Sequence, residues 1–297
     1  MKVEYLTGMS RAPSKPICGA CGSRDVDRVC DLPLYVRGGD IADSLWHCRD
    51  CGTYIRASDY TQVADLGHFD VASYTHPASE EQLRRSRRDF FQYIVALTSR
   101  SLKRPLRGAR VLDVGCSYGH LLDAYRDAGA TCSGIEIVDT LRNRITDAGF
   151  DAYRSLEDVP PEKSYDIITM VDVLYLFETP GYALGRTRKL LAPDGILLIR
   201  VTNRTPLINV LRAVRRPITD RHLGDAKHNF SVRGIRRLLE DCGFRIEKTL
   251  LREQGKVHRG ITTRLYYQLS LMLSVITRQK LTPGLILLAR PASPPSG

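Results

Sequence analysis

The sequence contains no apolar run of the ~18–20 residues that a membrane span requires. Its best stretch, 265–277, is interrupted by Gln268, Ser270 and Ser274. The opening MKVEYLTGMSRAPSK lacks the apolar core of a secretory leader, so a cytoplasmic location is expected. There is no internal repeat and no Gly-x-Gly-x-x-Gly, which argues against a dinucleotide cradle. Acids are the minority, with 33 Asp and Glu against 44 Lys and Arg, a net charge of +11. Lysine is scarce as well, at 9 of those 44. Basic residues, mostly arginine, crowd at 84–88, 103–110, 212–216 and 233–237. A nucleic-acid binder would gather such charge on one face with aromatics between. Here the clusters fall on separate helical segments, and aromatics make up only 7% of the chain. Solvated helix faces account for them, while RNA or a phosphorylated substrate stays open as a partner. With 43% hydrophobic and 26% charged residues, the 297-residue chain has the proportions of a folded protein. Its length suits one catalytic-sized domain with a small appendage.

Cysteine is what the sequence has in pattern. Four of the eight form two identical pairs, Cys18-Gly-Ala-Cys21 and Cys48-Arg-Asp-Cys51, each followed by glycine at Gly22 and Gly52. A two-residue gap folds into a knuckle that turns both sulfurs toward one ion, and the glycine relieves the backbone where the turn closes. Two knuckles supply four thiolates, a closed tetrahedral zinc site with no open position for chemistry. The 26 residues between them leave room for a pair of strands near 26–36 and 44–47. Redox pairs are the alternative reading of the same spacing. Cys30 and His47 are surplus to such a site, and Cys116, Cys132 and Cys242 read as small buried residues.

After a bridge and a helix that starts near Ser79, the rhythm changes at Arg110. Strand-like runs at 110–115, 131–138, 165–174 and 195–202 alternate with helical ones at 119–128, 140–148 and 182–191, the signature of a doubly wound parallel sheet. Its ligand site belongs at the carboxyl ends of the first strands. There the chain reads Asp113-Val-Gly-Cys-Ser-Tyr-Gly119, an apolar strand breaking into a glycine turn that opens a helix. Gly115 permits the sharp bend and Gly119 close packing, while Asp113 can organise the turn and reach an ammonium through water. Glu136, at the end of the second strand, can accept hydrogen bonds from both ribose hydroxyls of a nucleoside.

These segments together resemble the class I S-adenosylmethionine-dependent methyltransferases. DVGCSYG is similar to their nucleoside-binding motif, with Ser117 where the family often has glycine. Tyr165–Pro180 resembles the fourth strand and its turn, Leu190–Ile199 the approach to the fifth, and Phe230–Phe244 the late helix. The resemblance implies an α/β Rossmann-like fold with a seven-stranded doubly wound sheet over 110–290. It implies S-adenosylmethionine as cofactor, lined by Asp113, Gly115, Cys116, Gly119, Glu136 and Asp172. A module at 1–56 and a bridge and helix at 57–109 precede that domain, and 291–297 reads as a flexible tail. The four-cysteine module narrows the likeness to zinc-containing sugar and natural-product methyltransferases, in which Tyr74 of the bridge would close over the cofactor.

The expected activity is methyl transfer to a sugar, sugar nucleotide, glycolipid or secondary metabolite. RNA methylation and cofactor binding without catalysis are the alternatives. Against RNA, the turn after the fourth strand has no Asn-Pro-Pro-Tyr-like element. The His residues that the family often carries in this turn are replaced in Asp172-Val-Leu-Tyr-Leu176, which leaves Asp172 and Tyr175 near the methyl group. His228, before a Phe-Ser helix start, is the candidate base, since imidazole titrates near neutral pH. An apolar helix at about 262–279, inserted before the last strand, either packs on the core, lines an acceptor pocket or forms a homodimer surface.

Overall fold

The computed structural model describes residues 15–32, 43–58, 77–250 and 261–292. Strands β1 (Val26–Leu32), β2 (Asp43–Cys48) and β3 (Tyr54–Ser58) form an antiparallel meander around the cysteine knuckles. Helix α1 (Pro77–Leu102) then leads into β4 (Arg110–Val114), α2 (His120–Asp127), β5 (Thr131–Ile135), α3 (Asp139–Asp147) and β6 (Asp151–Tyr153). Next come β7 (Tyr165–Val171), α4 (Pro180–Leu190), β8 (Leu191–Thr202), α5 (Thr205–Ala213), α6 (Asp220–Leu223) and β9 (His228–Asn229). The chain closes with α7 (Val232–Asp241), β10 (Phe244–Leu250), α8 (Ile261–Thr277) and β11 (Gly284–Pro291).

Seven strands form one mixed sheet in the order β10-β11-β8-β7-β4-β5-β6. Those from β8 to β6 run parallel, and β11 is antiparallel to both β8 and β10. This is the doubly wound Rossmann-like sheet that the alternating pattern predicts. The central strands carry apolar side chains on both faces because helices cover both: Ile196–Ile199 of β8 and Leu285–Leu288 of β11 are fully enclosed. One layer of core gathers Phe90 and Ile94 of α1 with Leu122 and Tyr125 of α2, and the other gathers Leu184 of α4 with Ile235 and Leu239 of α7.

The sheet of the N-terminal module has a fourth strand that the cysteine spacing does not announce. β9 pairs antiparallel with β3, Tyr54 opposite Asn229 and Ile55 opposite His228, in the order β1-β2-β3-β9. The seam continues in side chains. Ser231 caps α7 by accepting from the Gly234 N–H at 2.8 Å, and its hydroxyl donates to the Cys51 carbonyl. The Tyr54 hydroxyl donates to Asn209 of α5 at 2.6 Å and accepts from Arg212 at 2.9 Å.

The fit is tightest at Gly234, where an added Cβ would lie 2.2 Å from the Thr53 hydroxyl and 3.2 Å from the Cys51 sulfur. Gly234→Ala is expected to lower the unfolding free energy by about 1–3 kcal/mol through overpacking, despite alanine's better helix propensity. Gly185→Ala, in α4 with nothing within 4 Å of the added carbon, serves as the contrast. It should be neutral or gain up to about 1 kcal/mol. Denaturant melts of both variants check the pair, and equal midpoints would count against the seam.

Candidate functional site

The order of strands reverses at β4, whose carboxyl end opens between β5 and β7, the place where doubly wound sheets hold ligands. Asp113 and Glu136 both end buried there, 4% and 7% exposed. Asp113 sits opposite Thr169 across the β4–β7 register and accepts its hydroxyl hydrogen at 2.6 Å. Burial pushes the Asp113 carboxyl up to about 7 against the pull of that hydrogen bond, and Glu136 adds repulsion. Glu136 is raised by burial too, opposed by backbone N–H donors. Its two oxygens accept from Ser117 and Val138, each at 2.9 Å.

The turn after β4 is made by backbone conformation. Gly115 and Gly119 take φ of 74° and 80°, and Ser117 adopts 54° without being glycine. A Cβ on Gly115 would lie 2.7 Å from Val173, so this turn and the one after β7 touch at a point where only hydrogen fits. The sulfur of Cys116 points inward instead, packed against Gly134, where an added Cβ would meet it at 2.5 Å. The expected contribution of Cys116 to a ligand is thereby reduced to its main chain.

Asp172, first residue after β7, is the second strained non-glycine here, with φ of 61°. Backbone strain of this kind collects at functional sites. Its carboxylate is clamped by Arg200 of β8, itself 2% exposed, and by Arg87 of α1 at 3.2 Å. Neither arginine belongs to the set expected from the sequence. Arg200 was findable, as a charge inside the apolar run Ile196–Val201 has to meet a partner. Arg87 shares a helical face with Leu83 and Glu80. Glu80 pairs with Arg144 of α3, and Leu83 packs on Tyr118, Val138 and Leu141, so α1 walls the site. Tyr175 follows in a 3-10 turn and is buried. Burial first, then the Asp172 and Asp225 carboxylates, push its phenol well up, so at neutral pH it can donate a hydrogen bond and cannot act as a base.

His228 does not suit the part of general base. It is 3% exposed, its Nε2 faces the Phe177 carbonyl at 3.1 Å, and Gly19 lies against its ring. Burial and the Lys227 charge lower it to about 4. It therefore stays neutral and tethered at the seam between the module and the turn after β7. Tyr74 lies outside the described residues.

The four knuckle sulfurs, Cys18, Cys21, Cys48 and Cys51, lie within 4.8 Å of one another. Two pairs, Cys18–Cys51 and Cys21–Cys48, stand at 3.6 Å. A tetrahedral ion with Zn–S bonds of about 2.3 Å sets sulfurs about 3.8 Å apart, so the cluster fits zinc and is far too open for disulfides. Gly22 and Gly52 close the knuckles with φ of 70° and 77°, and their N–H groups bond back to Cys18 and Cys48 at 2.8 Å. Cys30 and His47 stand apart from the cluster, His47 against the Tyr54 ring at 4.7 Å.

The family described as "Methyltransferase domain" matches residues 83–249, more than half of the chain. The chain belongs to this family. A curated relative, the ubiquinone biosynthesis O-methyltransferase of Xanthomonas euvesicatoria pv. vesicatoria (strain 85-10), is 32% identical over 139 residues. That match covers 44% of this chain and 58% of the relative, so the chain spans little more than half of the relative's length. Among solved structures, the magnesium protoporphyrin IX methyltransferase of Synechocystis PCC 6803 with bound SAH superposes with a TM-score of 0.50 and 19% identity. The coverage is 74% of this chain and 97% of that one. The plantazolicin methyltransferase BpumL in complex with SAH gives 0.50 and 16%, over 74% and 92%. At these identities the structures speak for the fold. The methyltransferase domain match contains Asp113, Glu136, Asp172 and Arg200, and the cysteine cluster lies before it.

The purified chain is expected to carry about one zinc, the stoichiometry of a four-thiolate site. Cys18→Ser and Cys48→Ser should each lose it by elemental analysis, and amide exchange at His228–Ser231 should rise with the loss. Full metal retention in both variants would reject the assignment.

Proposed function

We propose that this methyltransferase domain protein moves the methyl group of S-adenosylmethionine onto a small-molecule acceptor. A sugar, sugar nucleotide, glycolipid or secondary metabolite is the class we favour. The observation that carries this reading is the pair of buried carboxylates at adjacent strand ends beside the reversal of strand order. When bound, the cofactor supplies an activated methyl group on a sulfonium. Glu136 spends two acceptor sites on backbone N–H groups and keeps two lone-pair sites for a vicinal diol. Asp113, poised near neutrality, offers a negative charge to a cationic ligand.

On the acceptor side we assign Asp172 and Tyr175 positioning roles. Tyr175 donates a hydrogen bond, and Asp172 is held in place by Arg87 and Arg200, so the polar wall moves little when an acceptor docks. Alignment in a preset geometry is the larger part of what a protein adds to such a displacement. The zinc centre is structural in this reading: it keeps the module folded against β9 beside the turn after β7. Oxygen is the favoured acceptor atom, a preference supported by the O-methyltransferase name of the relative.

Two measurements test the reading. Calorimetry should find that affinity for S-adenosylmethionine rises with pH across about 7, because the cation prefers ionised Asp113, whose folded pKa stands near that value. Asp113→Asn should bind more weakly and lose the slope. Glu136→Ala should cost roughly 1.5–3 kcal/mol of binding. A flat profile in the wild type together with unchanged affinity in Glu136→Ala would reject the cofactor assignment. Transfer of labelled methyl to fractionated metabolites and to RNA then separates the acceptors. Label in RNA alone would favour the nucleic-acid alternative, and binding without transfer the non-catalytic one.

A further inference from the structure

Helix α8 is amphipathic in the opposite sense to a helix that packs on a core. Its inward face consists of Tyr267, Ser270 and Ser274, all buried. Its outward face is a stripe of Leu265, Leu269, Met272 and Ile276, which are 64, 52, 52 and 68% exposed. The steps of four, three and four residues keep that stripe on one side of the helix. The orientation is pinned. Ser274 donates to the Ser270 carbonyl at 2.6 Å and accepts from the Leu281 N–H at 2.9 Å, so a rolled helix would lose the anchor to the chain that follows. A contiguous apolar stripe of this size on a folded protein marks an interaction surface.

Charge selects the occupant. Residues 261–292 contain no Asp or Glu, whereas Arg264 and Arg278 bracket the stripe; the half-buried Lys280 donates to the Thr249 carbonyl at 3.1 Å and is not counted among these cations. A second copy packed antiparallel on α8 would bring Arg264 toward Arg278 with no carboxylate on either helix to separate them. An anionic bilayer surface matches instead, taking the side chains of the stripe among its acyl chains and the cations among its headgroups. With 17 residues, α8 is about 26 Å long at 1.5 Å per residue, shorter than the ~20 residues of a span, so it would lie in the interface. Tyr266, 37% exposed at the flank of the stripe, has the amphipathic ring suited to headgroup depth.

We propose that α8 docks this protein on anionic membrane surfaces. The helix rejoins the sheet beside the carboxyl end of β8, where the Asn203 amide donates to the Lys280 and Thr282 carbonyls at 2.7 and 2.9 Å. A bilayer held by α8 therefore lies toward the end of the sheet that bears Asp172. The inference does not rest on methyl transfer, since docking is read without turnover.

The test is flotation of the full chain with phosphatidylcholine vesicles, with and without phosphatidylglycerol. Wild-type protein should float with the anionic vesicles and be released by salt. The Leu269→Glu, Met272→Glu double variant alters exposed positions and should melt like the wild type while its partition drops at least about ten-fold. Arg278→Glu should weaken binding to anionic vesicles. Failure of the wild type to float, or flotation of the double variant at the wild-type level, overturns the proposal. So does a wild-type dimer in sedimentation equilibrium that the double variant dissolves, because α8 is then a surface between copies.

Discussion

A hydrogen atom at Gly115 holds the candidate site together. The turns after β4 and β7 approach so closely that a single added carbon would press on Val173 at 2.7 Å. That contact brings the Asp113–Glu136 side of the pocket against the Asp172–Tyr175 side. It also explains why strain sits where it does. Ser117 and Asp172 both take left-handed conformations that cost of order 1–3 kcal/mol each. Both are over-determined by neighbours, Ser117 through its N–H on Glu136 and Asp172 through two guanidinium groups.

The electrostatics follow from the same closeness. Two carboxylates are buried close to one another, and Arg142, which donates to the Glu136 carbonyl at 3.1 Å, pulls the Glu136 carboxyl down less than burial pushes it up. One hydroxyl and two backbone N–H groups partly compensate them, and their carboxyls remain raised. A pocket in that condition is preorganised for a cation. Arg87 and Arg200 stand one strand over, on Asp172, where they fix a wall. This division between a floor of carboxyl groups and a clamped wall is what a cationic cofactor beside a separately positioned acceptor requires.

Much of this was legible because it rests on local chemistry. The knuckle glycines adopt the positive φ that two-residue cysteine gaps demand, and the alternation from Arg110 gives the winding of the sheet. Asp113 and Glu136 end their strands where spacing puts them. What escaped depends on pairing across the chain. β9 is two residues long and has no periodicity, so nothing in His228-Asn229 announces that it completes a distant sheet. The titration range of a free imidazole points to His228 as a base, while enclosure against Gly19 decides its state. Arg87 and Arg200 come together only through packing of α1 across the sheet. For α8 the apolar pattern was visible, but its direction was not, since the serines that face inward look in sequence like interruptions of an apolar run.

The strand borrowed from the late part of the chain sets an order of events during synthesis. The Ser231–Cys51 and Ser231–Thr53 contacts join residues 180 and 178 positions apart. At roughly 5–20 residues per second, the cysteine knuckles leave the ribosome about ten to forty seconds before β9 exists to pair with them. During that interval the module can gather metal but presents an open strand edge along β3, the kind of edge that recruits wrong partners. Early ion capture would hold β2 and β3 in register until the methyltransferase domain arrives, so a metal bound by the knuckles would act in time as well as in space, as a placeholder for a partner not yet made.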